Sequence, residues 1–227
     1  SYGERHILEG VCLNFEPGKT YAIVGENGSG KSTLINLITG LLVPSRGNVF
    51  FDGINIHNNL EQFRSHIGYV PQDTMLLNES IESNITFCRN AVSEHALEEV
   101  LHICEVDVIM KTNSMTMETV TSEKGNKLSG GQKQKIALSR ALYRKPKLLI
   151  IDEGTSNIDS DTEERILKRV KSVYPDMTII IVSHRLSTVR KADRIIVLDK
   201  SQVAENGEYA QLLDNGTVFR KIFATQI

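Results

Sequence analysis

The sequence predicts an α/β fold with a mostly parallel sheet, an N-terminal antiparallel β subdomain and a helical subdomain insertion. Three observations predict it. Leu148–Ile151, Thr178–Val182 and Arg194–Leu198 are β-branched runs without alternation, the pattern of strands buried on both faces of a parallel sheet. Thr20–Val24 is an apolar strand that enters a glycine loop, and a helix follows the loop. From about Asp73 to Arg144 no strong strand interrupts helical periodicity, so strand and helix alternate around an inserted helical region.

The elements follow in order. Val11–Phe15 and Asn48–Phe51 are short mixed runs separated by turns, which suits an antiparallel edge sheet. Lys31–Thr39 is expected to be helical and to stop at Gly40, since glycine tolerates the left-handed residue that ends many helices. Ile67–Val70 is a short strand closed by Pro71. Ser93 is placed to cap a helix over Glu94–Met110, with Leu97, Val100, Leu101 and Cys104 on one face. Ser160-Asp161-Thr162-Glu163 reads as a capping box that opens a helix running to about Val173. One domain over 1–227 is expected, with 1–72 and 145–227 as the α/β core and 73–144 as the helical insertion.

Composition excludes more than it assigns. The chain has 227 residues, 40% of them apolar and 24% charged, ordinary values for a globular chain. A net charge of −2 implies no general affinity for polyanions, so no nucleic-acid partner is expected. Three cysteines without a C-x-x-C spacing argue against a disulfide framework or a zinc site. No signal-peptide pattern is found, and no apolar run reaches the length of a membrane-spanning helix.

The chemistry begins at Gly25-Glu26-Asn27-Gly28-Ser29-Gly30-Lys31-Ser32, followed by Thr33. This fits G-x-x-x-x-G-K-[ST], whose backbone N–H groups wrap phosphates while the lysine meets the β/γ-phosphates and the hydroxyl ligates Mg²⁺. A plain glycine-rich turn is the bland alternative, and the strand before and helix after argue against it. The core is therefore expected to be that of a P-loop NTPase.

Leu148–Ile151 ends in Asp152 and Glu153, and ligands of open α/β sheets sit at the carboxyl ends of strands. Asp152 is a candidate Mg²⁺ carboxylate, and Glu153 a candidate base for an attacking water. On its own an Asp-Glu pair is a polar strand end; beside the loop at 25–33 it reads as catalytic. Gln72 and His184 follow two other strands, placed to touch Mg²⁺ or water and the γ-phosphate respectively. Tyr2 lies upstream of the loop and is a candidate adenine stacker, although a terminal tyrosine is more often a packing residue. A second phosphate-like feature is Leu128-Ser129-Gly130-Gly131-Gln132, which runs into a helix and so offers free N–H groups, yet has no lysine.

Taken together, GENGSGKST, Gln72, LSGGQ, LLIIDE, the SNID of 156–159 and His184 resemble the ATP-binding cassette of ABC transporters, in order and spacing, over essentially the whole chain. The resemblance implies ATP and Mg²⁺ as ligands. It implies a nucleotide loop of Asn27, Gly28, Ser29, Gly30, Lys31, Ser32 and Thr33, with Tyr2 on adenine. It also implies metal ligation by Ser32, Gln72 and Asp152, and catalysis by Glu153, His184, Gln72 and Lys31. Two cassettes would meet head to tail, each ATP capped by Ser129, Gly130, Gly131 and Gln132 of the other copy, with Asp159 crossing the interface.

The runs His184–Val189, Ala192–Leu198, Glu208–Leu213 and 72–85 are similar to exporter cassettes. Glu123 then falls in a loop that touches membrane helices, transmembrane domains fused on the N-terminal side are implied, and the cassette belongs at the cytoplasmic face of a membrane. Ser122 stands where exporters carry Gly, and Gly154 and Asn157 where Ala is usual; none removes a catalytic group. Importer ATPases share every catalytic motif but not the Arg185–Leu198 run. Soluble ABC ATPases carry a coiled coil or a second cassette, and P-loop kinases or GTPases have no use for LSGGQ.

Overall fold

The structure, a computed structural model, describes residues 7–87, 92–121 and 128–226. In chain order the elements are β1 (Thr20–Gly25), α1 (Lys31–Ile38), β2 (Phe50–Phe51), β3 (Ile54–Asn55), a 3-10 turn (Ile56–Asn58), α2 (Leu60–Ser65) and β4 (Ile67–Val70). Then come α3 (Ile81–Thr86), α4 (Glu94–Ile103), α5 (Val106–Thr112), α6 (Gly130–Tyr143), β5 (Leu148–Asp152) and α7 (Ser160–Val173). The rest are β6 (Thr178–Val182), α8 (Leu186–Val189), β7 (Arg194–Asp199), β8 (Gln202–Gly207), α9 (Tyr209–Asn215) and α10 (Thr217–Ile222). The chain forms two compact units. One runs up to Ile67 and resumes at Thr178; the other is Gly68–Met177.

In the first unit the strand order is β6-β1-β7-β8. β1 pairs in parallel with both β6 and β7, and β8 closes the edge antiparallel to β7. Every residue of β1 and β6 is buried, as expected of strands covered on both faces, whereas β8 alternates as an edge strand does. Ala22, Val24, Ile195 and Val197 pack on Leu212, Phe219 and Phe223 of the segment that follows β8. Glu205 of β8 accepts the N–H groups of Thr217, Val218 and Phe219. It thereby supplies the cap that α10 lacks from its own sequence, as no N-cap side chain bonds there. Burial pushes the Glu205 carboxyl up, but these donors outweigh it and hold the group below its ordinary value.

The antiparallel piece is a separate two-stranded sheet, β2 with β3, joined by Asp52 (φ 49°) and Gly53 (φ 77°). That is the Asp-Gly hairpin turn, which needs positive φ at both central residues. Val11–Phe15, expected as a strand, is irregular. Phe15 stands edge-on to Tyr21 at 4.9 Å, and the Glu16 N–H donates to the Tyr21 hydroxyl, so this stretch packs through side chains rather than through a ladder.

In the second unit β4 lies beside β5, and helices α3 to α7 make up most of the rest. The helix expected over Glu94–Met110 breaks into α4 and α5 at Cys104 and Glu105. Glu105 has φ 57°, and its carboxylate meets Lys135, Arg165 and Arg169 at 3.1, 3.0 and 3.4 Å. At this turn the Glu105 carboxylate is thus held by three cations of α6 and α7. Ser93 does cap α4, accepting from Ala96 N–H. At α7 the cap is Asp159, one residue ahead of the expected box. Ser160 is the first helical residue, and Glu163 turns inward to accept from the Thr155 hydroxyl instead of reaching back to the cap. Asn84, fully buried, accepts from Leu77 N–H and donates to the Leu77 carbonyl, which pins the 77–84 turn.

Candidate functional site

In the first unit, β1 delivers Gly25 to a loop that reverses through Gly28 (φ 80°) and Gly30 (φ 105°) into α1. Only glycine adopts these angles without strain. A Cβ on Gly30 would also stand 2.7 Å from Leu8 Cδ2 and one on Gly25 2.5 Å from the Leu198 carbonyl. Lys31 Nζ donates to the Gly25 and Glu26 carbonyls at 2.8 and 3.0 Å, so its charge sits inside the loop. Ser29 Oγ is buried with no hydrogen-bond partner among the described residues. An orphaned hydroxyl in a glycine cradle at a helix amino end, with no acidic residue in the helix's first turn, fits an incoming polyphosphate. Asn27 and Ser32 are exposed, and Thr33 is half-buried.

β6 is parallel to β1 and ends just before Ser183 and His184. His184 therefore lines one pocket of about 390 Å³ with Gly25, Glu26 and Asn27. Lys221 and Ile222 complete its lining, and Lys221 Nζ pairs with Glu26 at 2.9 Å. The hydrogen bond from Lys221 holds the Glu26 carboxyl below its ordinary value. Neither Lys221 nor its position was legible in the sequence, where it is one lysine in an amphipathic tail segment.

In the second unit, β5 ends at Asp152, followed by Glu153 in the left-handed region (φ 51°). Each carboxylate receives a hydrogen bond from the chain around the end of β4. The Tyr69 hydroxyl donates to Asp152 Oδ2 at 3.3 Å, and Gln72 Nε2 donates to Glu153 Oε2 at 2.7 Å. Burial first, and then the Asp152 charge, pushes the Tyr69 phenol up to about 12, so it remains a donor. Tyr69 was not singled out in the sequence; its place three residues ahead of Gln72 was the available signal. A Cβ on Gly154 would meet Val70 Cγ1 at 2.5 Å and the Val70 carbonyl at 2.9 Å. Gly154→Ala is accordingly expected to lower the stability of this unit by about 1–3 kcal/mol through overpacking. Urea unfolding of the variant beside the parent chain measures it.

The Leu128–Gln132 segment leads into α6. Ser129 is its N-cap, with a reciprocal capping box: Gln132 N–H donates to Ser129 Oγ, and Ser129 N–H donates to Gln132 Oε1. Ser129 Oγ thus spends a lone pair on the helix and keeps its proton for another acceptor. Ser129 and Gly130 are exposed. A Cβ on Gly131 would stand 2.6 Å from the Asn157 carbonyl. Gln134, nearly fully buried, clamps that same loop by accepting from Asn157 N–H and donating to Ser156 Oγ. Asp159 is exposed, and its carboxylate caps α7 by accepting from Thr162 N–H; that backbone donor holds its carboxyl below the ordinary value. Tyr2 and Glu123 lie outside the described residues.

Residues 8–156 match the family described as ABC transporter. With a glycine cradle, a strand-end carboxylate pair and a signature helix in that stretch, the chain belongs to the ABC transporter family, as its ATP-binding, ATP-hydrolysing cassette. Its similarity is to exporters in particular. It is 39% identical over 223 residues to the mitochondrial iron-sulfur clusters transporter ABCB7 of Danio rerio, covering 97% of this chain and 30% of that protein. It is 36% identical over 220 residues to the ATP-dependent lipid A-core flippase of Chromobacterium violaceum, covering 96% of this chain and 38% of that one. A solved bacterial Atm1-family ABC exporter with ATP bound superposes with a TM-score of 0.92 at 34% identity, covering all of this chain and 40% of its own. The chain therefore spans well under half the length of the transporters it matches. Among the described residues no helix is long and apolar enough to cross a membrane.

Proposed function

We propose that two copies of this chain close head to tail on two ATP molecules and drive export of a substrate through transmembrane domains fused on the N-terminal side. The cassette works at the cytoplasmic face of a membrane. Residues 1–72 and 145–227 serve as the ATP-binding core, and 73–144 as the helical subdomain. The observation that carries this reading is the pairing of one loop rich in phosphate donors, with Lys31 inside it, and a second, exposed helix end at Ser129 and Gly130 without a lysine. The second makes sense as half of a site completed by another copy.

In this mechanism the 27–33 backbone and Lys31 hold the phosphates, and Tyr2 stacks on adenine. Ser129, Gly130, Gly131 and Gln132 of the opposing copy cap the γ-phosphate, with Asp159 at the interface. Glu153 takes a proton from a water as that water attacks the γ-phosphorus in line and the bond to the β-phosphate oxygen breaks. His184 donates a hydrogen bond to the γ-phosphate. Ser32, Asp152 and Gln72 would hold Mg²⁺, which needs only one or two protein carboxylates and would supply positive charge against that of the phosphates. Gln72 would turn Oε1 to the ion, the end of its carboxamide that Glu153 does not use. Gln72 and Glu123 then pass the closure to the membrane helices.

Sharing of the site between copies is tested by mixing a Lys31→Ala chain with a Ser129→Arg chain. Each is inactive alone. Heterodimers hold one intact composite site, so ATPase activity is expected to return to about a quarter of the parent rate at equal mixing, as half the dimers carry one site of two. No recovery at any ratio contradicts sharing.

A further inference from the structure

The segment Thr217–Gln226 carries a feature that the nucleotide chemistry has not used. Phe219 and Phe223 are fully buried against the sheet of the first unit, so the segment is anchored. From that anchor Gln226 reaches the loop after β6 with both ends of its carboxamide. Its Oε1 accepts from Leu186 N–H at 2.9 Å, and its Nε2 donates to the His184 carbonyl at 3.1 Å. Leu186 opens α8, whose N-cap residue Arg185 contributes no side-chain cap. Gln226 supplies that cap from outside. Lys221 of the same segment, which lines the pocket with His184, pairs with Glu26 of the nucleotide loop.

We propose that Gln226 is a positioning residue for His184: by bridging the His184 carbonyl and the Leu186 N–H it fixes where the imidazole stands over the pocket, while Lys221 ties the same brace to the nucleotide loop. The inference rests on the reading that His184 acts on the γ-phosphate. Only a side chain with a donor and an acceptor on one terminal group satisfies both sides of the 184–186 loop at once, which a carboxamide does and a carboxylate does not. Gln226→Glu keeps the Leu186 cap but turns a second acceptor toward the His184 carbonyl. Gln226→Ala removes both bonds.

The test compares ATP turnover by the parent chain, Gln226→Ala, Gln226→Glu and His184→Ala, with melting curves and the ¹H–¹⁵N ring signals of histidine for each. Both Gln226 variants are expected to lose about tenfold in kcat with KM for ATP within about twofold, because a small misplacement of a group acting in the transition state falls on kcat. The His184 ring signals should shift and the melting temperature should stay near that of the parent. A parent-like kcat in Gln226→Glu, together with a strongly impaired His184→Ala, overturns the inference and leaves the role of His184 standing. A fall in kcat that follows a fall in melting temperature, with His184 signals unmoved, overturns it too, as a purely structural contact. A fully active His184→Ala brings down the underlying reading instead.

Discussion

Glu153→Gln is expected to leave ATP binding intact and to cut ATP turnover by about 10²–10⁴-fold, the usual contribution of a positioned base. The substitution keeps the shape of the side chain and removes its charge. Local structure should survive it. Glu153 sits at φ 51° after β5, and its Oε2 accepts from Gln72 Nε2 at 2.7 Å. A glutamine there presents a carbonyl oxygen to the same donor, so the strand end stays in place while the proton acceptor is gone. Binding measured with a fluorescent ATP analogue, turnover by phosphate release, and size-exclusion chromatography with ATP separate the effects. The trapped ATP-bound dimer should elute ahead of the nucleotide-free chain. Turnover near the parent rate would remove Glu153 from the chemistry.

The second large effect is on stability. Glu105→Ala is expected to cost about 2–4 kcal/mol. The Glu105 side chain is only 10% exposed and faces Lys135, Arg165 and Arg169. Removing it leaves Lys135, itself only 16% exposed, and two more exposed arginines without their shared carboxylate; breaking a buried pair costs about 3–5 kcal/mol, and the exposure of the arginines places the figure lower. The pH dependence has a definite sign. Burial pushes the Glu105 carboxyl up, but hydrogen bonds from Arg165 and Lys135 outweigh it and hold the group below its ordinary value of 4.5. A depressed carboxyl stabilises the fold fully above that value, and the contribution is lost as pH falls through the lower folded one. The gap in melting temperature between parent and Glu105→Ala should therefore be full at neutral pH and close in acid below 4.5. A gap independent of pH would mean that the carboxylate's charge is not what holds α4, α5, α6 and α7 together.

How far the site was legible depends on whether the chemistry lies in one contiguous stretch. The shape of Gly25–Thr33 was legible because a tight loop into a helix needs glycines at set positions, and consecutive residues supply them. The end of β5 at Asp152-Glu153 was legible as the polar end of an apolar strand, and only the glycine loop elsewhere in the sequence made it a candidate for catalysis. The bonds from Tyr69 and Gln72 to those carboxylates were not, since they join β4 to β5 across about 80 residues of chain. Gln134 looked like one more polar helix residue, yet it is buried and holds the 156–157 loop. Gln226 and Lys221 carry no motif at all; they matter because a pair of buried phenylalanines sets the segment beside the pocket.

Local rules of propensity, capping and periodicity were enough for the fold class, for most strands and for the start of α4, because each is decided within a few residues by side-chain burial and by the need to pair backbone groups. They failed where distant charge or packing overrode them. Glu105, where one expected helix becomes two, meets three cations of α6 and α7, and the strand expected at Val11–Phe15 packs on Tyr21 in place of a ladder; the cap of α7, by contrast, was missed by one residue for a local reason, the adjacent Asp159. A sequence states which groups are available. Which of them meet is settled by the balance of burial and pairing over the whole folded unit, and that balance has no local signature.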